Sequence, residues 1–385
     1  MHRRREALYG ETVAITLTHI ETDSSAFYLS WPGELAAEYP YIWLRDNDPA
    51  DLHPTTQERL FDLTSVELDI QPLFWRLSDS ALELQWPDQP SVSHYPLAWL
   101  EAHRPGRSQH DPAHQQQHYW DANSFVELPR FDVQHCQLNP LTMLEALQEA
   151  KRVGLIVFSG LDDEKTAGER FGDLIGFKRQ TNFGTMFEVI SKPTPNNLAY
   201  TSLALPLHTD LPNQEHIPGY QLLHCYRNDA QGGASHFADG FNICETLREQ
   251  APEAFSLLSE VAIPWRFHDE VEDIRYRRPI IETDQQQRLT GLAFNAHIAD
   301  VPDMDGRTLY DFYAAYRQLM LRIRDPRYRI EHRMRPGEMV MFDNRRILHG
   351  REAFSASGSE RDLRGYYIEH NEVDSRMRVL ARQSH

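Results

Sequence analysis

The sequence predicts a mainly β protein with helices. A small β-rich N-terminal domain spans residues 1–100, a linker spans 101–124, and residues 125–385 form a barrel or jelly-roll pair of sheets with helices packed outside. Three observations predict this. Short segments with period-two alternation, divided by Pro, Gly and Asp clusters, fill most of the first hundred residues. After Leu128, apolar runs of strand length are interleaved with stretches of helical periodicity. Within that region lies a His-x-Asp triplet whose side chains, on an extended strand, point to one face.

In chain order, Thr12 to His19, Ala26 to Ser30, Ser65 to Ile70 and Ala81 to Trp86 read as strands of the first domain. Glu101 to Asp121 is dominated by His, Gln, Pro and Arg and reads as an exposed connection; His103, His110, His114 and His118 are spaced too irregularly for a metal tract. Leu141 to Arg152 is an amphipathic helix with Pro140 in its first turn, leading into the buried strand Gly154 to Phe158. Lys165 to Leu174, pieces of Phe241 to Ser259, and Thr308 to Ile323 read as helices; Tyr220 to Cys225, Leu289 to Asn295 and Glu338 to Phe342 read as strands. No repeats are visible.

The composition, 41% hydrophobic and 25% charged over 385 residues, is that of an ordinary globular protein with ample length for a core. A formal charge of -18 disfavours nucleic acid or an anionic membrane as partner and leaves a small, cationic substrate as the easier expectation. Cys136, Cys225 and Cys244 are too few and too scattered for a disulfide framework. The basic N-terminus is interrupted by Tyr9, Gly10, Glu11 and Thr12 before any apolar core of a signal peptide forms, so a cytoplasmic location is expected.

His208 and Asp210 are candidate ligands of a mononuclear ferrous centre. With 19 His in so acidic a chain the triplet alone carries little, and a plain strand-edge pair would explain it. A third ligand must arrive from a distant strand. His349 fits, because it follows the β run Met339 to Phe342 and precedes Gly350, which leaves room for close approach. His224, His297 and His332 compete but read as satisfied or exposed. Two imidazoles and one carboxylate on one face leave the opposite coordination positions open for an organic co-substrate and dioxygen. Arg361, 12 positions after His349 (361 − 349), offers a fork for a carboxylate, though arginines commonly make surface ion pairs. Ser235, 27 positions after His208 (235 − 208) and just beyond Gly232-Gly233, adds a hydroxyl donor.

HTD at 208–210, GGAS at 232–235, ILHGR around His349, and Arg361 together resemble the Fe(II)/2-oxoglutarate oxygenases of the taurine dioxygenase superfamily. YIWLRDN at 41–47, NNLAYT at 196–201, PGYQLLHC at 218–225, DGFN at 239–242 and FDNRRILHGR at 342–351 resemble its γ-butyrobetaine and trimethyllysine dioxygenase branch, over nearly the whole chain. The resemblance implies a double-stranded β-helix from about residue 125. It implies Fe(II) held by His208, Asp210 and His349, and the distal carboxylate of 2-oxoglutarate held by Arg361 and Ser235. It implies hydroxylation of a small trimethylammonium acid, γ-butyrobetaine first, which yields carnitine. Members are often homodimers.

A quaternary ammonium donates no hydrogen bond and is recognised by aromatic faces. The resemblance places such a cage at Phe183, Phe187, Tyr200 and Tyr367, with Asn197 and Asn295 near the anionic end of the substrate. Phe183 and Phe187 stand where the animal pattern has tyrosine and tryptophan. That change motivates a second reading, the same chemistry on another amine, a sulfonate or an aminoalkylphosphonate. Members also carry an N-terminal zinc on three cysteines and a histidine. Here the segment Asp46 to His53 has no cysteine, and Asp48, His53 and His94 make a poor set, so no zinc is expected. A zinc hydrolase on the same three ligands would leave Ser235 and Arg361 without a role, and the intact triad speaks against a non-catalytic binding module.

Overall fold

The computed structural model describes residues 17–190, 194, 197–355 and 361–383. The expected strand from Thr12 therefore lies mostly outside the described residues, as does the start of the chain; the first strand seen is His19–Thr22. The chain divides into two compact units after Asp111. Among the described residues no helix is long and apolar enough to cross a membrane.

The first unit holds two three-stranded antiparallel sheets, one of His19–Thr22, Ala26–Ser30 and Ala37–Pro40, the other of Phe74–Leu77, Ala81–Gln85 and Val92–Pro96. Alternation becomes burial as expected of half-buried strands: Leu82 and Leu84 join Phe27, Leu29, Tyr39, Trp86 and Tyr95 in one apolar cluster. The expected strand Ser65 to Ile70 does not form. Asp62 captures the Thr64 N–H at 2.9 Å and sets a 3-10 turn over Leu63–Ser65, a local side-chain bond that competes with a ladder.

The stretch read as a linker is divided between elements. Helix Leu97–Ala102 takes its start, and residues from Pro112 belong to the second unit. There Trp120 is buried, its indole donating to the Val153 carbonyl at 2.8 Å. One aromatic among polar neighbours gave no periodicity to read.

The second unit is built on two sheets. Six strands stand in the order Arg130–Asp132, Leu155–Ser159, Glu338–Asp343, Tyr220–Asn228, Arg361–Ile368, Met186–Val189, antiparallel except for the first pair. Four more run Leu205–His208, Ile347–Arg351, Ser235–Asp239, Arg329–His332, all antiparallel. The sheets meet at Phe237 and Phe342, whose ring centroids are 5.5 Å apart. This is the jelly-roll that the strand-rich second region predicts.

Helices cover the outside. Pro140–Val153 starts with Pro140 in its first turn and Asn139 accepting from Leu141 N at 3.0 Å, and it turns Met143, Leu144, Ala146, Leu147, Ala150 and Val153 inward. Beneath it Leu155–Ser159 is apolar without alternation, as suits a strand covered on both faces. Gly240–Gln250, Pro252–Glu260 and Gly306–Ile323 share a second apolar cluster.

Candidate metal centre and pocket

Pairing of Leu205–His208 with Ile347–Arg351 sets His208 opposite His349 in register. The imidazole centroids lie 4.4 Å apart. Asp210 follows two residues on, its Oδ1 3.3 Å from His208 Nε2 and its Oδ2 3.4 Å from His349 Nε2. One ligand atom from each of the three lies within 4.8 Å of the others. His208 Nδ1 is 2.9 Å from the Pro206 carbonyl, a bond that needs the proton on Nδ1 and leaves the Nε2 lone pair free for a metal.

The backbone around Asp210 is fixed on both sides. Thr209 exchanges bonds with Phe294, N–H to carbonyl at 2.7 Å and Phe294 N–H to the threonine hydroxyl at 2.9 Å. Asn344 accepts the Asp210 N–H at 2.7 Å and donates to its carbonyl at 3.0 Å. Leu211 holds φ 58, a left-handed conformation that a leucine adopts only under constraint. Gly350 allows the two strands to close: a Cβ there would stand 2.4 Å from the Leu205 carbonyl oxygen.

Charges suit a cation. Burial alone would raise the Asp210 carboxyl, but His349 and then His208 hold it well below the usual carboxylate range. Burial holds His349 below the usual imidazole value against the pull of Asp210, so the ring is neutral, as a ligand must be. The donor set, two neutral imidazoles and one carboxylate on one side of a cavity, fits a ferrous ion.

All eleven residues singled out in the sequence border this cavity. Ser235 and Arg361 are each more than nine-tenths buried where they line it. Arg361 donates from Nη1 to the Val189 carbonyl at 3.2 Å, its Nε has no partner, and burial brings it down to about 10. Phe183 meets Tyr200 edge-on with centroids 6.4 Å apart, and Phe187 lies 5.1 Å from Tyr367. The Phe187 ring covers Gly365, where a Cβ would stand 2.1 Å from its Cζ. Asn197 and Asn295 use Oδ1 locally, on Ala199 N and His297 N, which leaves their amide donors to the cavity.

Three findings go beyond or against the sequence reading. Tyr367 does more than line a cage, since its hydroxyl donates to Asp210 Oδ2 at 2.7 Å. His224, read as satisfied or exposed, is fully buried with both ring nitrogens unpartnered. Phe267, 5.3 Å from Phe183, and Arg351 also border the cavity. Arg351 follows His349 by two residues on one strand, so the period-two argument that grouped His208 with Asp210 reaches it too.

A family model described as taurine catabolism dioxygenase TauD, TfdA family, matches residues 116–367. The chain is similar to a gamma-butyrobetaine dioxygenase of Pseudomonas sp. (strain AK-1), 35% identical over 365 residues that cover 93% of this chain and 94% of that one. The Homo sapiens protein of the same name is 30% identical over 367 residues, covering 91% and 93%. A solved asparagine oxygenase, in complex with Fe(II), 2S,3S-3-hydroxyasparagine and succinate, aligns with a TM-score of 0.50 at 17% identity over 65% of this chain and 88% of its own.

Proposed function

The chain belongs to the TauD, TfdA dioxygenase family, and from that premise we propose that it is an Fe(II)- and 2-oxoglutarate-dependent hydroxylase whose substrate is γ-butyrobetaine. The observation that carries the reading is the meeting, in one cavity, of the His208, Asp210, His349 triad with the guanidinium of Arg361, which pairs with no carboxylate among the described residues, and a set of aromatic faces. The names of the relatives support the substrate.

A ferrous ion at the triad supplies the oxidising chemistry, in which dioxygen and 2-oxoglutarate give succinate and carbon dioxide as one oxygen atom enters a C–H bond. The chain supplies position. His208 and His349 present Nε2, Asp210 a carboxylate oxygen, and Tyr367 fixes the other oxygen through its hydroxyl. Burial and the Asp210 charge push the Tyr367 phenol well above its ordinary value, so it stays a donor. Arg361 and Ser235 take the far carboxylate of the co-substrate. Phe183, Phe187, Tyr200 and the Tyr367 ring receive the trimethylammonium group, and Asn197 and Asn295 the substrate carboxylate. Leu205, Leu223 and Val189 complete an apolar wall that limits water.

Succinate release should be measured over γ-butyrobetaine, trimethyllysine, taurine and an aminoalkylphosphonate. Turnover of γ-butyrobetaine to carnitine, lost in Asp210→Ala, is expected; none with γ-butyrobetaine would refute the substrate, and full activity after Arg361→Ala the co-substrate site.

For the first unit we propose a fold without zinc. Asp48 oxygens already accept from Ala50 N, Gln89 and Ser93, and His53 Nδ1 from Thr55 N and Thr56 N. His94 faces Glu83 at 3.6 Å. Metal analysis of purified protein tests this: one tightly held zinc per chain would overturn it.

A further inference from the structure

Arg351 is 5% exposed, and among the described residues its guanidinium bonds to carbonyls and to no carboxylate. Its Nη1 donates to the Ala199 carbonyl at 3.1 Å and its Nη2 to those of Thr201 and Leu203. Its Nε is buried without a partner, as is that of Arg361. Both guanidiniums lie against the ring of Phe354, 5.3 Å and 4.8 Å from its centroid. Phe354 in turn donates its N–H to the Ser202 carbonyl at 3.1 Å. The segment from Ala199 to Leu203 is thus held at four carbonyls by two residues that touch one another and the Arg361 site. That segment carries Tyr200, follows Asn197, and forms one wall of the substrate cavity.

We infer that Arg351 is a positioning residue that couples the co-substrate site at Arg361 to the substrate-facing segment 197–203. The inference rests on the proposed 2-oxoglutarate site. Two buried guanidiniums against one ring, with no acid among them in the described residues, make the docked arrangement costly. A carboxylate on Arg361 brings negative charge to both. It therefore stabilises the arrangement in which Arg351 stays docked and grips the three carbonyls. Asn197 and Tyr200 are then ordered for the amine before it arrives. By linkage, the amine strengthens co-substrate binding by the same factor. Ordinary salt-bridge chemistry cannot replace this grip, since Arg351 meets carbonyl oxygens, and only a planar fork reaches two of them at once.

Hydrogen exchange of the amides from Ala199 to Leu203 reads the coupling directly. Full-length protein loaded with Mn(II), which does not turn over, is compared with and without 2-oxoglutarate. In the wild type the diacid should slow exchange of these amides about tenfold, within the range of ordinary coupling energies. Arg351→Met should abolish that slowing and weaken 2-oxoglutarate binding by about the same factor. Arg351→Lys should lose the protection, because an ammonium lacks the fork, and with it the share of 2-oxoglutarate affinity that the coupling supplies. Protection in Arg351→Met equal to wild type would overturn the inference, as would a wild type that binds 2-oxoglutarate without protecting the segment. The wild-type comparison decides even if a variant folds poorly. A wild type that binds no 2-oxoglutarate at all would instead refute the proposed function, and this inference with it.

Discussion

Arg346, in the turn that joins the two sheets, and Arg361, on a strand of one of them, are both buried, and the fold treats them in opposite ways. Arg346 is wholly enclosed and fully answered: its Nε and Nη2 meet Asp239 at 3.1 and 2.7 Å, and its other donors reach the carbonyls of Arg152 at 3.0 Å and His118 at 2.6 Å. Burial would lower it, but Asp239 raises it overall. Among the described residues Arg361 has one carbonyl, an unpartnered Nε and a second arginine beside it, and no carboxylate. A buried charge that holds a fold together has its counter-charge in the chain. One left without is a place where the molecule waits for a ligand's charge.

Breaking each arginine should therefore fail in a different observable. Arg346→Met strands the buried Asp239 carboxylate and should destabilise the protein by about 3–5 kcal/mol in urea unfolding, with 2-oxoglutarate affinity of the folded fraction unchanged. Arg361→Met should do the reverse, raising the KM for 2-oxoglutarate by about two to three orders of magnitude while leaving the unfolding midpoint equal to or above wild type. A large loss of stability in Arg361→Met would mean that its charge is answered internally after all.

The contrast was only half legible in the sequence. His208, Asp210 and the strand that brings His349 opposite them follow from period-two alternation and short apolar runs, which encode faces. Arg361 and Ser235 were found by spacing and resemblance. Arg351 was within reach of the same alternation argument, being two residues past His349, but its partners are carbonyls of residues 199–203, and main-chain partners leave no trace in residue identity. Trp120, buried beside Asp239, was hidden for a related reason: a lone aromatic in a His- and Gln-rich run shows no period. Ser65 to Ile70 had the alternation without the structure, because Asp62 caps a turn before a strand can start.

His224 is a third kind of buried charge site, one that stays neutral. Burial, and then Arg364, lower it to about 4 against Asp362, and both ring nitrogens are buried without a partner. The folded state therefore refuses a proton that the unfolded chain takes up near its ordinary value. Stability from this residue is complete above about pH 6.5 and is lost as the pH falls toward 4, by about 3 kcal/mol in total. His224→Leu should flatten the unfolding free energy between pH 6.5 and 4.5, above the range in which Glu338, held at about 2 against burial by His332, the Arg335 N–H and Arg130, begins to lose its own contribution. An unchanged slope would place the acid sensitivity elsewhere.

The smallest effect tests what the aromatic wall contributes beyond apolar area. Phe187 lies over Gly365 and beside Tyr367, with its ring bordering the cavity and no polar atom to offer. If its face holds a cation, Phe187→Leu removes the ring quadrupole but keeps most of the apolar bulk. The KM for γ-butyrobetaine should then rise about fivefold, near 1 kcal/mol. The carbon isostere 5,5-dimethylhexanoate, which has the same shape and carboxylate without the positive charge, should inhibit wild type and Phe187→Leu almost equally. Equal losses for both ligands would show that Phe187 acts by packing alone, and would shift recognition of the charge to Tyr200 and Phe183, whose rings meet edge-on across the same cavity.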